Sequence, residues 1–157
     1  MGAGNVRIVT LRPAAPRPDT TLAVTRGAAR LLRAAGFAVI CEMPLATGRR
    51  LDIMALSPSG ELLAIEVKSS REDFAMDRKW PEYREWCDLF AFAVAPDFPQ
   101  ELLPEEAGLL VADAYGGEWL REPPRHALAP ARRKAVILLF ARLAAHRLHA
   151  LDDPALT

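Results

Sequence analysis

Asp52 and the run Glu66-Val67-Lys68 are the residues whose types and spacing can do chemistry: two carboxylates and an amine, set in two apolar segments. Side chains alternate along a strand, so Glu66 and Lys68 project to the same face. Whether Asp52 joins them depends on the register of the hairpin between the two segments. Pro58-Ser59-Gly60 suits a three-residue loop, with proline at the first turn position and glycine in the left-handed position that follows. That loop pairs Ser57 with Glu61. Counting back, it sets Asp52 opposite Glu66 and Arg50 opposite Lys68. A loop one residue shorter or longer would send the two carboxylates to opposite faces.

The pairing creates a conflict. Met54, Leu56, Leu62 and Ala64 share the face of the carboxylates, while Leu51, Ile53, Leu63, Ile65 and Val67 occupy the other. Both faces are therefore built for burial. Directly opposite residues have Cβ atoms roughly 5 Å apart. Two carboxylates that close in a dry sheet repel, and one of them normally keeps a proton. A divalent cation removes the conflict, and hard oxygen ligands with open positions suit Mg²⁺ or Mn²⁺. The competing reading is an ion-pair network of Arg50, Asp52, Glu66 and Lys68 on a partly exposed strand pair. Glu-x-Lys alone is common surface charge. An aspartate in one apolar strand, a tight turn, then Glu-x-Lys inside another apolar strand is far more specific, and it favours the site.

Residues 19–35 read as a helix that Asp19, Thr20 or Thr21 can cap and Gly36 ends, with Leu22, Val24, Ala28, Leu31 and Leu32 toward a core. Residues 37–45, 49–56 and 61–69 read as strands. Residues 70–87 are polar, aromatic and helix-compatible, with Pro81 at a helix start or break. A buried strand follows over 88–95, then a helical turn over 99–106. Strands over 109–114 and 118–120 flank Tyr115-Gly116-Gly117, and a long amphipathic helix spans about 130–150. This order predicts an α/β fold with an αβββαβ core: a mixed central sheet flanked by helices on both faces, with an added C-terminal hairpin and long helix. Residues 1–18, with prolines, early glycines and arginines, read as a disordered tail. Residues 19–151 form one domain and 152–157 a disordered end.

The chain has 157 residues, enough for one domain with a real core, and its 20 basic and 20 acidic residues cancel, so net charge says nothing about a polyanionic partner. Clusters matter more: Arg26, Arg30 and Arg33 share a helix side, and Arg121, Arg125, Arg132, Arg133 and Lys134 form a second basic segment. A solvated face explains these clusters at least as well as phosphate contact does. Cys41 and Cys87 make no disulfide framework. His126, His146 and His149 show no zinc spacing and read as surface residues. No apolar run is long enough to span a bilayer and no secretion signal opens the chain, so a cytoplasmic protein without a membrane partner is expected. Trp80 and Trp86 read as core, Cys87 as a core thiol, and Asp73 and Asp77 as helix caps. Glu42, on the preceding strand, reads from the residues alone as a strand-end surface glutamate.

Asp52, Glu66 and Lys68 resemble the PD-(D/E)XK signature of restriction-endonuclease-like nucleases, with Leu51 where the signature has proline. More closely, Gly48-Arg49-Arg50-Leu51-Asp52-Ile53, Glu66-Val67-Lys68-Ser69-Ser70, Asp73-Phe74, Asp77-Arg78-Lys79-Trp80-Pro81-Glu82-Tyr83 and Cys87-Asp88-Leu89-Phe90-Ala91-Phe92-Ala93-Val94 are similar to the bacterial MmcB-like DNA-repair family. The similarity covers roughly residues 20–150, and residues 49–94 are its specific part. It implies a metal-dependent DNA endonuclease acting in repair, with damaged or structured DNA as partner. Asp52 and Glu66 would hold Mg²⁺ or Mn²⁺ with the Val67 carbonyl, and Glu42 would be the extra acid. Lys68 would orient the attacking water or stabilise developing charge, leaving a 5′-phosphate and a 3′-hydroxyl. Lys79, Tyr83, Arg50 and Ser69 would contact DNA. Lys79 and Tyr83, four apart on a helix, resemble the Gln-x-x-x-Tyr motif of some nucleases of this fold. The alternative is an inactive DNA- or protein-binding module on the same fold. Its expected mark is loss of one of the three signature residues, and all three are present.

Overall fold

A computed structural model of the chain describes residues 19–154. Its elements are α1 (Asp19–Ala34), β1 (Ala38–Pro44), β2 (Arg50–Leu56), β3 (Leu62–Lys68), α2 (Arg71–Met76), a 3-10 segment (Trp80–Trp86), β4 (Leu89–Val94), a 3-10 turn (Gln100–Leu102), β5 (Gly108–Ala112), β6 (Gly117–Arg121) and α3 (Pro130–Asp152). This is the α/β order expected from the sequence, with the added hairpin and long final helix. The expected tail over 1–18 lies outside the described residues, as do residues 155–157, and α3 runs on to Asp152.

Residues 70–87 are interrupted ahead of Pro81, which sits at a helix start as expected: α2 has six residues, and the chain restarts as a 3-10 segment with Pro81 in its first turn. One expectation is corrected, the α-helical spacing of Lys79 and Tyr83. Proline lacks the N–H that would continue an α-helix and clashes with the preceding turn. The tighter 3-10 winding aligns residues three apart, so Lys79 and Tyr83 do not share a face as four-apart residues of an α-helix would.

The six strands lie in chain order in one sheet. β1, β2 and β3 form an antiparallel meander, β3, β4 and β5 run parallel, and β6 returns antiparallel to β5. Val24, Ala28 and Leu32 of α1 cover one face, packing with Ile53, Ala55, Leu63, Ile65, Ala91, Ala93 and Leu110. On the other face Val136 and Phe140 of α3, with Tyr83, pack with Met54, Ala64, Phe90 and Phe92. With both faces covered, every residue of β3 is buried. The tryptophans pack as expected: Trp80 stacks on Phe90 at 5.5 Å, and Arg132 lies 4.2 Å over the half-buried Trp86 ring.

Two contacts fix the helices on this sheet. A Cβ on Gly27, in the middle of α1, would sit 1.9 Å from the Asp113 carbonyl oxygen, so only glycine lets α1 meet the β5–β6 turn backbone to backbone. Arg30 adds bonds to the Ala114 and Tyr115 carbonyls, both at 3.4 Å. Across the sheet, Asp88 is fully buried ahead of β4. It accepts from the Leu62 amide at 2.9 Å, from the Leu128 amide at 3.3 Å, and from both terminal nitrogens of Arg133 on α3. Burial alone would raise its pKa, but Arg133 and the two amides outweigh it and hold the carboxyl below the ordinary aspartate range.

Removing one partner of such a cluster leaves buried polar groups unpaired. Asp88→Ala is expected to lower the unfolding free energy by about 3 kcal/mol, read from urea titration. In the wild type this contribution is complete above the unfolded aspartate pKa of about 4 and fades as acid protonates the folded carboxylate below it. The gap between wild type and variant therefore narrows toward low pH.

Candidate functional site

The hairpin register is the one the turn residues dictate. Gly60 takes φ +88, its amide donates to the Ser57 carbonyl at 3.0 Å, and the Ser57 amide donates to the Glu61 carbonyl at 2.9 Å. Pairing runs from Leu56–Leu62 to Ile53–Ile65. The next rung is Asp52 and Glu66, and there the ladder stops. The Asp52 amide donates to Glu66 Oε1 at 3.3 Å, and the Val67 amide donates to Asp52 Oδ2 at 2.8 Å. The two carboxylates thus bridge the fork where β2 and β3 part. The expected facing of Arg50 and Lys68 does not form: Arg50 pairs with Pro44 on β1, and its guanidinium lies 3.7 Å from the Glu42 carboxylate.

The alternation of faces also changes at this rung. Strict alternation puts Leu51 on the α1 side with Ile53, yet Leu51 packs on the α3 side with Met54. On β1, Ile40 and Met43 both pack on the α3 side, with Cys41 against the α1 side. Cys41–Ile53 and Met43–Leu51 are register partners, and Glu42 and Asp52 stand at the rung between them. Glu42 has φ +55, in the left-handed region. Both strands therefore switch phase at one rung, and the Asp52 carboxylate reaches across to the backbone of β3.

Asp52, Glu66, Val67, Lys68, Ser69, Asp73 and Thr21 line a recess of about 340 Å³ at this end of the sheet. Glu66 is 6% exposed and Lys68 5%. Burial pushes the Glu66 carboxyl well above the ordinary glutamate range, and the Asp52 charge pushes the same way. Lys68 Nζ lies 2.7 Å from Asp77 Oδ2. Burial alone would lower its pKa, but Asp77, with help from Glu66 and Asp73, raises it above the ordinary lysine value. Ser70 caps α2 by accepting from the Asp73 amide, and the Asp73 carboxylate accepts from the amide and hydroxyl of Ser69. The capping reading thus fits Asp73 but misses what Asp77 does. Thr21, expected only as a cap, is a buried wall of the recess on the first turn of α1.

Other predicted residues fall elsewhere. Tyr83 is buried and its ring stacks against Phe90 at 6.2 Å, so the expectation of a surface contact there is corrected. Lys79 is exposed, and its amide donates to Asp77 Oδ1. Glu42 does not line the recess. His126 is half-buried, with its ring against the Arg84 carbonyl, rather than a free surface residue. Cys87 is the inert core thiol expected, with burial pushing it up to about 12. A larger depression, about 650 Å³, lies by the β5–β6 turn, but its Asp113 carboxylate is engaged by the Tyr115 and Gly116 amides. Chemistry rather than volume selects the smaller recess.

Among the described residues no three His, Cys, Asp or Glu side chains converge as a metal centre; of the three carboxylates lining the recess, Asp73 serves Ser69, and Asp52 and Glu66 form the close pair. The pair fits a hard divalent cation. One carboxyl is buried, its pKa is raised by its neighbour's charge, and a cation held between them would replace the proton.

Fold and recess together define an α/β protein with an acid–acid–lysine site at a fork in a mixed sheet. The chain belongs to the MmcB-like family, described as DNA repair protein MmcB-like, whose model matches residues 11–155. It is similar to the solved SPO1766 protein of unknown function from Silicibacter pomeroyi, at 53% identity and a TM-score of 0.83, covering 86% of this chain and 92% of that one. A repair endonuclease from Pyrococcus abyssi is matched at 21% identity and a TM-score of 0.37, covering 59% of this chain and 42% of that one. Comparison with curated proteins finds no match.

The raised Glu66 pKa has a measurable consequence. The folded state holds this proton more tightly than the unfolded chain, so ionisation costs stability as pH rises from the unfolded glutamate pKa toward the folded one. With a chelator present, Glu66→Gln keeps the acceptor for the Asp52 amide and removes that cost. Its melting temperature is expected to exceed that of the wild type at neutral pH and to converge with it in acid.

Proposed function

We propose that this chain is a metal-dependent DNA endonuclease of the PD-(D/E)XK type that acts in repair on damaged or structured DNA. The observation that supports it most is the bridged fork: Asp52 and Glu66 on one rung, beside a buried Lys68. Family membership supports the repair setting.

Asp52 and Glu66 would hold Mg²⁺ or Mn²⁺, joined by the Val67 carbonyl. The bound ion would lower the pKa of a water and polarise the phosphate. Lys68 is already protonated and tied to Asp77, so its part is to donate rather than to take a proton. It orients the water and stabilises the charge that develops on the phosphate oxygens. Asp77 acts through Lys68 as a positioning residue. Arg50 and Lys79 are exposed and suited to neighbouring phosphates. Ser69 lines the recess, but its hydroxyl and amide serve Asp73.

The test is a cleavage screen over single-stranded, duplex, nicked, flapped and branched DNA with Mg²⁺ or Mn²⁺. Lys68→Ala is expected to lower the rate at least about 100-fold with the circular dichroism spectrum unchanged, and a chelator should abolish cleavage. Equal activity in wild type and variant would sink the mechanism. Binding without cleavage on every DNA form would leave a binding module.

A further inference from the structure

We propose that Arg147, on the outer half of α3, is a positioning residue for the Asp52–Glu66 pair. It clamps β1 in its left-handed turn at Glu42, and that turn sets the direction of Asp52. The inference rests on the reading of Asp52 and Glu66 as the working carboxylates.

Glu42 is the single non-glycine residue with positive φ among the described residues. A side chain with a Cβ keeps that conformation only where its surroundings impose it. Its place in the sheet is specific. Glu42 stands opposite Asp52 at the rung between Cys41–Ile53 and Met43–Leu51, where both strands switch phase. Were β1 regular there, the ladder would continue through Glu42 and Asp52. Leu51 would then turn toward α1, and Asp52 would project from a face instead of reaching the Val67 amide.

α3 grips this turn directly. Arg147 Nη2 donates to the Glu42 carbonyl at 2.9 Å, and Nη1 donates to the carbonyl of Cys41. Successive carbonyls of an extended strand point to opposite sides, so one guanidinium cannot serve both. The φ and ψ of the residue between two peptide planes set their relative direction. At Glu42 the left-handed turn swings both carbonyls toward one side, and the planar fork of an arginine matches two acceptors so placed. Arg147 thus bonds the turned form of β1 and not the regular one.

The clamp is also well separated from the chemistry. Arg147 does not line the recess. It lies seven residues, about 10 Å along the helix axis, beyond Phe140, the last buried residue of α3. Its two bonds here are to the backbone of β1, opposite Asp52.

A double-mutant cycle tests this with Arg147→Met, which keeps much of the side-chain stem, and Glu42→Gly, which accepts the left-handed φ without a clamp. Two quantities are read in each protein: amide hydrogen exchange of segments 41–43 and 51–53 with a chelator present, and Mn²⁺ affinity by calorimetry. Arg147→Met alone is expected to speed exchange and weaken Mn²⁺ binding, each by about tenfold. On the Glu42→Gly background the same substitution is expected to change either by less than about twofold. Because the comparison is made on each background separately, loss of the Glu42 carboxylate cancels. Unchanged exchange in Arg147→Met, or an equal loss on both backgrounds, overturns the clamp. If the wild type binds no Mn²⁺ yet the exchange cycle behaves as expected, the clamp stands and the metal reading falls.

Discussion

The structure turns on one fork. β2 and β3 hold a regular ladder up to Ile53–Ile65, and one rung further the Asp52 and Glu66 side chains take the backbone amides instead. An open fork in a buried sheet would leave amides unpaired, at about 1–3 kcal/mol each. Two carboxylates satisfy them, and in doing so they are brought close together in a setting that penalises their charge. The tight Pro58-Ser59-Gly60 turn, the apolar strands on either side and the helices over both faces all hold this arrangement in place.

The charges around the fork follow from it. An acidic pair with one member buried at a sheet end is stabilised by a cation, and Lys68 supplies one beside Glu66. Lys68 is buried too and takes Asp77 as its own partner. Asp77 can reach it because α2 is only six residues long and Asp77 is its C-cap. The interruption that makes Tyr83 unavailable to solvent is therefore part of what equips the lysine. A continuous helix through 70–87 would have carried residue 77 around with its neighbours and fixed its side chain by helical period instead.

What was legible in the sequence was local. Turn chemistry at Pro58-Ser59-Gly60 determined a register, and the register determined that Asp52 and Glu66 share a rung. The element order was legible because apolar runs, glycines and prolines punctuate it clearly. The phase switch was not, because the alternation rule assumes a regular strand and nothing in Cys41-Glu42-Met43 announces a left-handed residue. Leu51 was consequently assigned to the wrong face. Tyr83 was misplaced because Pro81 was allowed to start a helix of ordinary pitch. Asp77 and Thr21 looked like caps since their other partners, Lys68 and the recess, come from other elements. An unexplained glycine inside a helix, such as Gly27, was the one local hint of a long-range contact, since it costs about 1 kcal/mol relative to alanine unless something needs the space.

Gly27 also changes how the recess is mounted. Thr21 precedes it by six residues on the same rigid helix, about 9 Å along the axis. One helix thus carries both the backbone contact of Gly27 with the β5–β6 turn and, at Thr21, a wall of the recess. The placement of that wall over Asp52 is therefore referenced to a turn three strands away in the sheet.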